Sequence, residues 1–202
     1  IFLIIVACSP LLLLWMPHSQ SSIIKSWEEQ TGPITEWTIW AKILDKSPIF
    51  GLIYDEPKSY YRLDSRGQVF DLHIRDAGIK SLDQLPGIAS LAHLETLDLS
   101  NNPLEGVLDL SACTSLKEIH LRGCSLSAIR GLENLRRLKV LDLKSCGLTS
   151  ADRVANLSAL ATVQVLDLSD NPLEGPFDLS GMVALSEIHL RNTGLNEISG
   201  HE

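Results

Sequence analysis

Ser100, His120 and Asp142 are the residue types of a hydrolytic triad, and they stand in three successive, similarly built stretches, "LDLSN", "EIHLR" and "VLDLK". A serine nucleophile needs a base to take its proton and preorganised donors for the oxyanion, in a site poor in water. The chain offers no G-x-S-x-G elbow around Ser100, and no GxGxxG, phosphate loop or HExxH. His73, His120 and His189 recur two or three stretches apart, roughly 10 to 15 Å if those stretches are neighbouring strands, which is too far for one metal ion. Cys8, Cys113, Cys124 and Cys146 form no CxxC pair. The expectation is a non-enzymatic chain with no catalytic residues, no cofactor and no metal.

These residues share places in a repeat. The template L-x-x-L-x-L-x-x-N/C-x-L is filled by Leu94, Leu97, Leu99, Asn102 and Leu104, and 22 residues on by Leu116, Ile119, Leu121, Cys124 and Leu126. Leu138, Leu141, Leu143, Cys146 and Leu148 fill it again, then Val163, Leu166, Leu168, Asn171 and Leu173, then Leu185, Ile188, Leu190, Thr193 and Leu195. A weaker first unit has Val69, Leu72, Ile74, Ala77 and Ile79. Six units of 22 to 25 residues are therefore read. Within them, residues 97–129 match residues 166–198 at 20 of 33 positions, which reads as a duplicated three-unit block.

Over residues 69–198 the chain resembles the leucine-rich repeat family. The resemblance implies an α/β fold, a curved right-handed stack of short parallel strands on a concave side, with helical, 3₁₀ or extended segments on the convex side. It also implies use in binding other proteins. Physical reasoning agrees, because alternate leucines of "LDL" point to one face of a strand and only stacked neighbours can bury them.

That register sorts the polar residues. Between the strand leucines lie His73, Asp98, His120, Asp142, Asp167 and His189, and just after them Arg75, Ser100, Arg122, Lys144, Ser169 and Arg191. A third row before them is Asp71, Thr96, Glu118, Val140, Val165 and Glu187. The first two rows are the expected partner-binding residues of the concave face, with arginine able to grip carboxylates through two hydrogen bonds. The same charges are also placed to pair with one another and keep the sheet soluble. Asn102 and Asn171 are expected to turn inward and satisfy backbone groups, with Cys124 and Cys146 as small buried thiols there; a Cys124–Cys146 disulfide is the alternative.

On the convex side, the spacing of three between Leu126, Ile129, Leu132 and Leu135 suits a short helix or 3₁₀ turns. "TSADRVANLSALAT" reads as helical with Thr149 or Ser150 as N-cap, whereas "NPLEGVLDLSACTS" and "NPLEGPFDLSGMVA" read as extended.

Ahead of the repeat, residues 1–16 carry no charge, and residues 1–17 are read as a signal peptide or membrane anchor, with Cys8 as a lipoprotein cysteine or a buried helix as alternatives. Residues 24–68 are expected to cap the array: Trp37, Trp40, Ile43 and Leu44 at helical spacing, "IFGLIYDEP" as a strand, and "RLDSRGQVFDLHI" as a turn into the first repeat strand. The leucines of the last unit call for a further coil, so the array is expected to continue beyond Glu202. A formal charge of −8 argues against nucleic acid.

The sum is a protein-binding module, secreted or on the cell surface, with possible membrane attachment through residues 1–16. Two alternatives remain: the recognition ectodomain of a larger receptor or enzyme such as a receptor kinase, and a cytosolic scaffold.

Overall fold

The computed structural model describes residues 59–149 and 160–200, together with the backbone of 35–36. The expected leader, most of the expected cap and the segment 150–159 of the expected convex helix lie outside the described residues.

Among the described residues, twelve strands follow in chain order: β1 (Thr35–Glu36), β2 (Ser59–Leu63), β3 (Val69–Ile74), β4 (Thr96–Asp98), β5 (Glu105–Asp109), β6 (Glu118–His120), β7 (Ser125–Arg130), β8 (Val140–Asp142), β9 (Val165–Asp167), β10 (Pro176–Asp178), β11 (Glu187–His189) and β12 (Glu197–Ser199). One strand from each unit joins a long sheet in the order β1-β2-β3-β4-β6-β8-β9-β11, every pair parallel except β2–β3. The solenoid expected from the repeat is the one observed. Its register is the repeat's own, with Leu72, Leu97, Ile119, Leu141, Leu166 and Ile188 as successive partners across the sheet. The first five of these are fully buried, so each coil covers the leucines of the one before.

The inward asparagines do what the sequence asks of them. Asn102 Oδ1 accepts from the N–H groups of Ala77 (3.0 Å) and Ile79 (3.2 Å), and its Nδ2 donates to the carbonyls of Ile74 and Leu99, both at 2.7 Å. Asn171 repeats the pattern with Cys146 and Leu148 N–H and the Leu143 and Leu168 carbonyls. Cys124 and Cys146 are free thiols. Each donates to a carbonyl of the preceding coil, Leu99 at 3.3 Å and Leu121 at 3.1 Å. Burial pushes them up to about 11 and about 12 respectively, so they stay protonated. Thr193 donates only to Leu190, within its own coil.

The other side of the solenoid corrects one expectation. Leu126 and Ile129 lie on the strand β7, and only Leu132–Asn134 forms a 3₁₀ turn. Their spacing of three comes from a bulge: Gly106 pairs with Leu126 but Val107 pairs with Ala128, so Ser127 is an extra residue that lets both apolar side chains face inward. The "NPLEG" stretches lead into β5 and β10, extended as expected, each pairing with the strand one coil on, β7 and β12. β10 begins at Pro176, where β5 has Val107; proline brings no N–H to the ladder, and the duplicated strand is shorter by the two residues before it.

Gly131 and Gly200 occupy equivalent positions after β7 and β12, both with positive φ, 84° and 71°. A side chain at either would drive into the backbone of Ser111 or Ser180 in the preceding coil.

Candidate ligand-binding face

The long sheet turns its leucines inward and its intervening residues outward, so the rows read from sequence become physical neighbours. Asp71, Thr96, Glu118, Val140, Val165 and Glu187 are register partners, and so are His73, Asp98, His120, Asp142, Asp167 and His189. The row after them continues the ladder through main-chain bonds, such as Asn101 N–H to the Arg122 carbonyl and Gly123 N–H to the Lys144 carbonyl.

The two ends of the face differ in how their charges are spent. Around β2–β4 they are joined in one network. His73 Nε2 lies 2.7 Å from Asp71 Oδ1 and its Nδ1 3.3 Å from Asp98 Oδ2, while Arg62 approaches Asp71 at 3.1 Å and Arg75 approaches Asp98 at 3.5 Å. Facing a carboxylate at each ring nitrogen, His73 donates at both only as the imidazolium. Tyr60 stacks on that ring, centroids 4.3 Å apart, and Arg62 lies over Tyr60. With His120, these side chains line an open hollow of about 530 Å³.

Tyr60 and Arg62 are additions that the repeat could not supply, because β2 lies before it. The signal was the turn Asp64–Gly67, where Asp64 Oδ1 accepts from Arg66 and Gln68 N–H and the chain reverses into β3. That turn was expected; the partner strand "SYYRL" before it was not.

Toward β11 the charges are less engaged. His120 is 3.7 Å from Glu118, His189 is 2.9 Å from Glu187, and Lys144 is 3.2 Å from Asp170. Arg122 and Arg191 are exposed, and neither they nor Asp142 and Asp167 form an ion pair among the described residues. Asp98, Ser100 and Ser169 are only 6%, 8% and 4% exposed, so they floor the face more than they project from it. The Ser100 N–H is held by Asp98 Oδ1 at 2.9 Å, and no hydrogen bond joins Ser100, His120 and Asp142 among the described residues.

Burial alone would lower the pKa of His73, but its bonds to Asp71 and Asp98 outweigh that and hold it above 6.5. Burial likewise opposes, and the bonds from His73 and Ser100 prevail, in holding Asp98 below 3.8. A raised histidine stabilises the fold fully below its unfolded pKa and loses that contribution as pH rises through the native value. A depressed aspartate loses its contribution as pH falls through its own native value. Stability is therefore expected to decline on either side of a plateau, and His73→Gln should flatten the decline on the alkaline side. Urea midpoints measured from about pH 5 to 9 check this; an unchanged alkaline slope in the variant would show that His73 does not carry it.

Comparison with known proteins agrees with the geometry. The family model described as Leucine Rich Repeat matches residues 93–114 and 162–182. The ectodomain of the receptor kinase SOBIR1 from Arabidopsis thaliana superposes with a TM-score of 0.61 at 20% identity, covering 91% of this chain and 98% of that one. The structure of PEPR1-AtPEP1 gives 0.56 at 28% identity over 67% of this chain, and internalin C2 from Listeria monocytogenes 0.53 at 26% over 63%. This chain spans 20% of the former and 54% of the latter. No curated protein sequence matches it. Residues 93–114 and 162–182 carry leucine-rich repeats, and the solenoid around them is the fold these structures share.

Proposed function

We propose that this chain is a non-catalytic recognition module of an exported or surface-tethered protein, and that it binds a protein partner through the polar, concave face of its long sheet. The observation that carries the reading is the register of six parallel strands, which holds two polar rows and a third, mixed row over a floor of leucine and isoleucine. Such a face is rigid, so a partner loses little affinity to ordering it. Exposure to the cell exterior is supported by the sixteen uncharged N-terminal residues and by the receptor-kinase ectodomain among the structural neighbours. The ectodomain reading, in which a larger receptor carries this array, draws on the same neighbour.

Charge reversal tests the face. Arg122→Glu, Lys144→Glu and Arg191→Glu together are expected to weaken a partner captured by the intact protein at least tenfold, since the two arginine reversals set like charge against like across the interface and Lys144→Glu takes the cation from Asp170. Partner binding that survives all three would remove the concave face from the mechanism. Protease accessibility on intact cells checks the location.

A further inference from the structure

Most ionic side chains of the long sheet's outer face have a partner there, and four stand apart. Asp142 and Asp167 are register partners on adjacent strands, two like charges side by side, an arrangement that costs stability in an isolated sheet. Each spends one oxygen, Oδ1, on the N–H two residues on, Lys144 at 2.9 Å and Ser169 at 2.8 Å. The other oxygen meets no donor among the described residues. The histidines on either side do not neutralise them, because His120 turns to Glu118 and His189 to Glu187. Lys144, two residues after Asp142 in the next row, is drawn off to Asp170. Val140 and Val165 stand two residues behind the pair, so apolar surface lies on that side.

The complementary charges are Arg122 and Arg191, both exposed, in the row after the aspartates. They belong to the coils of β6 and β11, three strand spacings apart, roughly 14 Å. An extended peptide covers that distance in about four residues, and its side chains at every second position face the same way.

We propose that the span of the face from β6 to β11 docks an extended segment of a partner protein that carries an acidic residue, a basic residue two positions on, and a second acidic residue two positions beyond that. The two acids meet Arg122 and Arg191. The central lysine or arginine passes over the neutralised Lys144–Asp170 pair and places its head group between Asp142 and Asp167, where a cation supplies the missing counter-charge. The network at β2–β4 is then a structural clamp outside the contact. This inference rests on the proposed binding role of the face and specifies its partner.

A displayed library of random twelve-residue peptides, selected against the full chain, tests it. Enrichment of the acid-x-base-x-acid pattern is expected. For such a peptide, Asp142→Asn with Asp167→Asn should lower affinity roughly ten- to hundredfold. Replacing the peptide's central base by norleucine should lower it similarly and abolish the effect of the two asparagines. Exchanging both aspartates for lysine should restore binding to a peptide with an acidic centre, which separates lost charge from lost folding. Enriched peptides of another charge pattern that still lose binding on reversal of Arg122 and Arg191 would overturn this inference and leave the binding face standing. No enrichment, or peptides indifferent to every change on the face, would overturn both.

Discussion

Asn102→Ala is expected to cost about 4 kcal/mol or more, enough to unfold much of a domain of ordinary stability. The side chain is fully buried and makes five hydrogen bonds, three of them to the preceding coil. Alanine would strip the Ala77 and Ile79 N–H groups and the Ile74 carbonyl of this partner in a site that water does not reach, at about 1 to 3 kcal/mol each before relaxation, while the Leu99 carbonyl keeps the Cys124 thiol. Asn102→Asp is expected to fail as well, because a carboxylate keeps the acceptor but loses the donated bonds and buries a charge. Cys124→Ala, at the same place one coil on, should cost only about 1 kcal/mol, since one weak thiol bond is lost. Urea unfolding of the three variants decides the matter; a loss for Asn102→Ala no greater than that for Cys124→Ala would mean the amide is not what binds the coils.

The second large effect is expected at Gly131. Alanine there would suffer twice: the positive φ of 84° is unfavourable for any side chain, and the new Cβ would penetrate the Ser111 backbone of the coil beneath. Backbone cannot swing aside as a side chain would, so the strand pair β5–β7 has to separate, and a loss of about 3 kcal/mol or more follows. Gly147 supplies the control. Its φ of 68° is equally left-handed, but nothing lies within 4 Å of its missing Cβ, so Gly147→Ala should cost only about 1 kcal/mol. Equal melting points for the two variants would count against the close approach. Gly200, three units on and set against Ser180, should behave like Gly131.

The strand rows were legible because their period is unbroken: once Leu97 and Leu99 are placed, the outward position of Asp98 follows, and so does its neighbour His120 one coil on. The inward asparagines were legible for the same reason. The strand β7 was not, because a bulge at Ser127 turns a period of two into a spacing of three, which imitates a helical turn. Nor were Tyr60 and Arg62 legible as parts of the face. Both tyrosines of "SYYRL" are buried, at 3% and 4% exposure, so the stretch lacks the alternation that marks a strand with one wet side. Their position depends on pairing with β3, Tyr60 with His73 and Arg62 with Asp71, a tertiary relation that no local pattern encodes. Which charges are engaged and which are open likewise depended on distances, for the sequence lists Asp98 and Asp142 as equals.

The alternation of amide and thiol along the interior has a mechanical meaning. Asn102 and Asn171 each fasten their coil to its predecessor through an acceptor and a donor, while Cys124 and Cys146 hold theirs by a single donated bond. A tension applied along the array is thus borne by firm joints at β3–β4 and β8–β9 with two compliant ones between them. Within the span from β3 to β9 a pull would open the middle first, between Leu99 and Leu143, leaving an asparagine rivet on each side, whereas the coil of β11, whose Thr193 bonds only to Leu190, has no joint of this kind to its predecessor among the described residues.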